Sequence, residues 1–211
     1  TEIYTLSLHD ALPIYNALYV AGLLVEKQGG PSVKPYQPPG LWKEMAYGDS
    51  PGKAYQQDHG DNLYRRSLYT FWKRSILYPA FAAFDAPTRE ECTVRRPRTN
   101  TPLQAFVMLN DTTFVEAARV FAERILRENS SDFGSRIDFA MRTAVARSPS
   151  PIEHAILKAL LVDMTNHYLA RPDDAREIIA AGEWPVSENL DSITLAAWTS
   201  VAQAILNLDE M

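Results

Sequence analysis

Asp58 and His59, adjacent in the run QQDHGD, are residue types that could do chemistry together. A carboxylate can fix an imidazole tautomer for general-base work or for metal binding. Neighbours in sequence rarely aim at one atom, however, and neither an HxH nor an HExxH spacing accompanies them, so no metal site is expected. Asp85, Glu90 and Glu91 could supply the acid and base of glycoside cleavage, which needs two carboxyl groups about 5–10 Å apart. Their neighbours are arginines, which lower carboxylate pKa values and favour salt bridging over proton donation. Cys92 sits among the same arginines, a setting that favours thiolate, yet no cysteine–histidine pairing is readable. A catalytic reading would therefore rest on Asp58, His59 and Asp85.

The second constellation is basic and aromatic. Arg65, Arg66, Lys73, Arg74, Arg89, Arg95, Arg96 and Arg98 share a stretch with Tyr64, Tyr69, Phe71 and Trp72, in a chain whose formal net charge is -5. Guanidinium forks bind carboxylate, sulfate or phosphate bidentately, and aromatic faces stack on sugar rings. Arg65, Arg66, Tyr69, Trp72, Arg89, Arg95, Arg96 and Arg98 are thus candidate ligand-binding residues for an anionic glycan. The competing account has the arginines pairing with Asp85, Glu90, Glu91 and helix C-terminal carbonyls, with the aromatics as core.

The elements that would position these residues follow from local signals. NALYVAGLLVEK, residues 16–27, has helical spacing and is followed by Gly29-Gly30 as a stop. Pro31, Pro35, Pro38 and Pro39 then fix φ and remove backbone donors, which predicts an extended strap. Residues 47–62 read as a loop from their glycines and prolines. The aromatic run Tyr64–Arg74 is expected as a strand, and residues 84–102 as a long structured loop with a short strand near Thr93–Arg95. Beyond it the signals are helical. Thr101-Pro102 opens one helix, and Thr113 with Glu116 fits a capping box ahead of an apolar face of Phe114, Ala117, Ala118, Phe121 and Ile125. Ser150-Pro151 with Glu153 opens another, with an expected buried stripe of Ile152, Ile156, Ala159, Leu160 and Met164. Helices over 135–146, 173–181 and the run LAAWTSVAQAILNL complete the pattern. The expectation is a mainly α fold: a C-terminal helical bundle with a proline-rich strap and a small extended or β element.

The chain has 211 residues, 46% of them hydrophobic, enough to bury a core without a metal or disulfide. The acidic balance argues against a surface built for nucleic acid. One cysteine allows no internal disulfide. No apolar run of about 18 residues is present, so no membrane-spanning helix is expected. Residues 1–14, TEIYTLSLHDALPI, are similar to translated sequencing-adapter readthrough, and residues 1–15 are taken as a non-native leader. Both ends are expected to be set by truncation, with 16–211 a single-domain fragment: strap, aromatic strand and arginine loop over 16–100, bundle over 101–211.

SVKPYQPPGLW, YRRSLYTFWKR and FDAPTREECTVRRPRTNTPLQAFVMLNDTTFVEAAR together resemble the planctomycete-type domain of unknown function 1553, from about Asn16 to the end of the chain. The resemblance implies the C-terminal domain of large cell-envelope or periplasmic proteins that also carry a c-type cytochrome domain, in gene company concerned with polysaccharide use. It attaches no activity to particular residues. No CxxCH occurs here, so haem would belong only to another domain of the parent, and no cofactor is expected in this chain. The function expected first is a non-catalytic interaction or anionic-glycan-binding module, with an anionic polysaccharide and the parent's N-terminal domains as partners. The rivals are a polysaccharide hydrolase using Asp58, His59 and Asp85, and a structural scaffold.

Overall fold

Helix signals in the second half of the chain become helices almost where the sequence places them. The structure is a computed structural model and describes residues 12–44, 54–73, 76–87, 99–128 and 132–211. Its helices are α1 (Leu12–Ala21), α2 (Leu41–Glu44), α3 (Pro79–Ala83), α4 (Pro102–Asn110), α5 (Thr112–Arg127), α6 (Phe133–Val145), α7 (Pro151–Ala170), α8 (Pro172–Ile179) and α9 (Ser192–Leu206). The fold is mainly α, and among the described residues β structure is limited to isolated bridges. The chain divides into two compact units, Thr1–Tyr15 with Leu24–Val107, and Asn16–Leu23 with Met108–Met211. The division falls inside α4.

The second unit is a bundle around α9, which packs against α5, α7, α8 and α6. Phe114, Ala117, Ala118, Phe121 and Ile125 of α5 are all buried, as their spacing predicts. Across from them Leu195, Ala196, Ala197, Val201, Ala202 and Ile205 of α9 are buried too. Alanines on both helices permit a close approach, while each large buried aliphatic or aromatic side chain contributes about 1.5–3 kcal/mol through water release. A satellite cluster joins Tyr168, Ala175, Ala196 and Ala197, with Leu161 and Met164 packed on it.

Capping decides where these helices start. Ser150 accepts from the Glu153 N–H and the Glu153 side chain accepts from Ser150, which completes the expected capping box of α7. For α5 the expected Thr113–Glu116 box is not the cap. Asp111 is, accepting from the Thr113 N–H at 2.9 Å, and Thr113 and Glu116 lie inside the helix and buried. Asp111 accordingly fixes the start two residues earlier. The expected stripe of α7 is also corrected. Ile152, Ile156 and Ala159 face solvent, whereas Leu157 and Tyr168 are buried and Leu161 and Met164 are packed against the core.

The first helix ends earlier than its Gly29-Gly30 stop suggested. Gly22, at φ 78°, takes the left-handed turn that an L side chain resists; Leu23 N–H reaches Leu18 O at 2.9 Å and Gly22 N–H reaches Tyr19 O at 3.0 Å. That pair of bonds is a Schellman closure. The Arg124 guanidinium adds a hydrogen bond to Val20 O. Ile14, within the stretch read as a leader, is a buried residue of α1.

The first unit has little regular structure. The expected strand Tyr64–Arg74 is, over its described part, the end of a 3-10 turn (Gly60–Tyr64), a second such turn (Ser67–Tyr69) and extended residues between them. Three isolated bridges, Val25 to Arg65, Val33 to Thr70 and Lys73 to Ile76, stand where a ladder was expected. Aromatic content raises strand propensity, but among the described residues the pairing stops at these single bridges.

Candidate functional site

The strap and the aromatic run meet through Arg65. Its guanidinium donates to Lys27 O and Gly29 O, both at 2.7 Å, and lies 3.9 Å from the Tyr69 ring centroid. The Tyr69 hydroxyl in turn accepts from the Gly29 N–H at 2.9 Å. Arg65 is buried, so the fork that could have clamped a ligand closes the Gly29-Gly30 turn instead.

The same economy runs through the segment. Arg66 lies 5.7 Å from the Tyr15 ring, Lys34 5.3 Å from Phe71 and Lys73 4.2 Å from Trp42. Trp42 also packs on Tyr55 and Phe71, and Trp72 stacks on Phe81 at 5.6 Å. Aromatic faces that could receive a sugar ring are therefore in contact with the protein's own cations and rings. Burial pushes the Tyr55 hydroxyl pKa up, with Asp58 adding to it, and that hydroxyl donates to Pro35 O.

Asp58 and Asp85, the carboxylates of the catalytic reading, act as fasteners. Asp58 Oδ2 accepts from the Lys34 N–H at 2.9 Å while its own N–H donates to Lys34 O, so it ties residue 58 to the strap. His59 is exposed at the start of the 3-10 turn and makes no side-chain cap bond there. Asp85 adopts φ 58° and its Oδ2 accepts from Thr99 N–H (2.9 Å), Thr99 Oγ1 (2.6 Å) and Gln104 Nε2 (3.4 Å). It thus ties Thr99 and the start of α4 to residue 85. Arg89, Arg95, Arg96 and Arg98, with Arg74, Glu90, Glu91, Cys92 and the short strand expected near Thr93–Arg95, lie outside the described residues. No group of histidine, cysteine, aspartate and glutamate able to hold a metal occurs among the described residues.

Sequence reasoning passed over a third cluster, in the second unit. Glu116, Arg119 and Glu123 of α5 are fully or almost fully buried. Arg119 Nη1 donates to Glu123 Oε1 at 2.7 Å and Nη2 to Trp184 O at 2.6 Å, while the Trp184 N–H donates to Glu116 Oε1 at 2.6 Å. Glu123 Oε2 receives Arg127 at 3.0 Å. A single peptide segment after α8 is thus held at both its donor and its acceptor by charged groups of α5. Gly182 makes room for this: its φ is 84°, and a Cβ there would lie 2.1 Å from the Glu116 carboxyl. The signal in the sequence was three charges, EAARVFAE, on a face that is otherwise apolar. His154 packs edge-on against Phe133, and His167 pairs with Asp174 at 3.3 Å.

A mainly helical domain with a proline strap clasped by side-chain hydrogen bonds is the class that fold and site define. The chain belongs to the PSD1 family, described as protein of unknown function (DUF1553), whose model matches residues 12–161. The match begins within α1 and ends within α7, a shorter reach than the expected Asn16 to the end. No curated protein and no solved structure matches the chain. No helix of the described residues is long and apolar enough to cross a membrane.

Proposed function

We propose that this domain is a non-catalytic interaction module of a larger protein, in which a rigid strap frame presents the arginine loop to an anionic partner, a sulfated or uronic-acid glycan. The observation that carries this reading is the use of Asp58 and Asp85 as main-chain fasteners, which commits one oxygen of each carboxylate to the fold. A general acid or base must reach the substrate with its proton, and the Oδ2 atoms of both residues are instead engaged by the chain itself. Arg89, Arg95, Arg96 and Arg98 are residue types suited to bidentate contact with sulfate or carboxylate. The setting that goes with this reading is the cell envelope of planctomycetes and polysaccharide use, as the family resemblance implies.

Affinity electrophoresis of the chain through gels containing neutral or sulfated polysaccharide tests it. Retardation by the sulfated polymer alone is expected, lost in Arg95→Ala and Arg96→Ala and in about 1 M salt, where the Debye length is ~3 Å. The pairing of Arg65, Lys34 and Lys73 with the protein's own aromatics specifically favours a second reading, a scaffold for neighbouring domains. A folded chain that migrates alike in all gels would establish that second reading over the first.

A further inference from the structure

We propose that α7 is a dimerisation helix, whose solvent face pairs with the same face of a second copy of this chain as a parallel, in-register, two-stranded coiled coil. This goes beyond the ligand reading above and does not depend on it.

The helix is apolar on two sides. Leu157, Leu161, Met164 and Tyr168 face its own bundle. On the other side, Ile152, Ala155, Ala159, Val162, Asn166 and Leu169 follow one another at steps of three, four, three, four and three residues, and every one is exposed. Ile152 is 73%, Val162 52% and Leu169 59% exposed, in a helix whose neighbour α9 buries Leu195, Val201 and Ile205 completely. A 3.5-residue repeat is the seam of a coiled coil rather than the face of a globular helix. With Ile152, Ala159 and Asn166 at a and Ala155, Val162 and Leu169 at d, the bundle-facing Leu157 and Met164 fall at f, directly opposite the seam.

The occupant is fixed by polar residues in and beside that seam. One asparagine at an a position, Asn166, meets its own copy only when two helices run parallel and in register, where the two amides can bond each other. Lys158 stands at g and Asp163 at the following e, five residues on, and both are exposed. That is the spacing at which a g residue meets the e residue of a parallel partner, so two-fold symmetry produces the Lys158–Asp163 pair twice. An antiparallel pair would bring g against g and e against e and lose both. Ile156, at e, is 60% exposed and flanks the two alanine layers, where it can cover the space their small side chains leave.

Because α7 is already held as a helix of 20 residues, about 30 Å long, association need not pay for its folding. The strip is narrow, which places the pair among the small interfaces and its dissociation in the micromolar range or weaker.

Sedimentation equilibrium of the whole chain from low to several-hundred-micromolar concentration tests this. A monomer–dimer equilibrium is expected. Val162→Glu, which would place two carboxylates in one layer, should weaken it at least about 100-fold while leaving the circular dichroism melt unchanged. Lys158→Glu and Asp163→Lys should each weaken it several-fold, and the double reversal should restore it. A chain that stays monomeric throughout, whether or not it then floats with phosphatidylcholine vesicles, overturns the proposal. So does a dimer indifferent to Val162→Glu, or one in which the double reversal fails to recover what the single reversals lose.

Discussion

The two units are held together by different means. In the second, burial of Phe114, Phe121, Ile125, Leu195 and Val201 on regular helices supplies the cohesion, and the buried charges among its described residues are Glu116, Arg119 and Glu123. In the first, cohesion comes from side chains that bond the main chain of distant segments: Arg65 to Lys27 and Gly29, Asp58 to Lys34, Asp85 to Thr99. The difference teaches where polar residues can be functional. Proline removes backbone donors from the strap and leaves carbonyls that no ladder will satisfy, so polar side chains must do so. A basic, aromatic segment beside such a strap is consequently drawn into the fold, as Arg65 and Tyr69 are.

The sharpest way to break this contrast is Arg119→Ala. It would leave the buried Glu123 with Arg127 as its remaining partner and Trp184 O without the Arg119 donor, and is expected to destabilise the bundle by about 3–5 kcal/mol. Urea unfolding followed by far-ultraviolet circular dichroism measures it; a loss below about 1 kcal/mol would show that the cluster is incidental. Gly182→Ala comes next, at roughly 2–4 kcal/mol, since it combines an unfavourable φ with a collision at the Glu116 carboxyl. The two causes separate in a double-mutant cycle. In a Glu116→Ala background the collision is gone, and only the strain of about 1 kcal/mol should remain.

Legibility in the sequence followed the range of the interaction. The α7 capping box is local, four residues long, and could be read outright. The α5 cap was misplaced because Thr113 and Glu116 match the same pattern, and only the Asp111 side chain, two residues before, settles the competition. The buried stripe of α7 could not be chosen by periodicity, because Ile152 and Ile156 on one side and Leu157 and Leu161 on the other offer equally apolar faces. In the candidate site, the partners of the named residues were not readable. Arg65 bonds carbonyls 36 and 38 residues away, and Arg119 a carbonyl 65 residues away, distances over which sequence carries no geometric signal.

The contrast is sharpened from the other side by Arg65→Met, which keeps the bulk over Tyr69 but removes the donors to Lys27 and Gly29. Two part-buried carbonyls lose a charged donor, at about 1–3 kcal/mol of local stability. If the clasp acts within its own unit, hydrogen exchange should accelerate around Gly29–Lys34 and Tyr69, and α5 and α9 should keep their protection. Equal acceleration in both would show the two units to be one cooperative body.

The smallest effect is expected at the α7 N-terminus, where bundle and surface electrostatics can be compared directly. Arg147 grips Glu153 with both forks, at 2.9 and 2.6 Å, and Glu210 with two further bonds, while the Ser150 N–H also reaches Glu153 at 2.7 Å. The Arg147 hydrogen bond first, and then the Ser150 bonds, hold the Glu153 carboxyl down to about 2 from its ordinary 4.5. A depressed carboxylate contributes stability that is complete above its unfolded value and is lost as pH falls through the folded one. Glu153→Gln keeps a capping-box acceptor and removes only the charge. The melting temperature of the unaltered chain should therefore exceed that of Glu153→Gln by a constant margin above about pH 5, and the margin should close between pH 4.5 and 2. Because the pair is open to solvent, about 1 M salt should shrink the margin at neutral pH, whereas the effect of Arg119→Ala, buried beyond the reach of ions, should barely change.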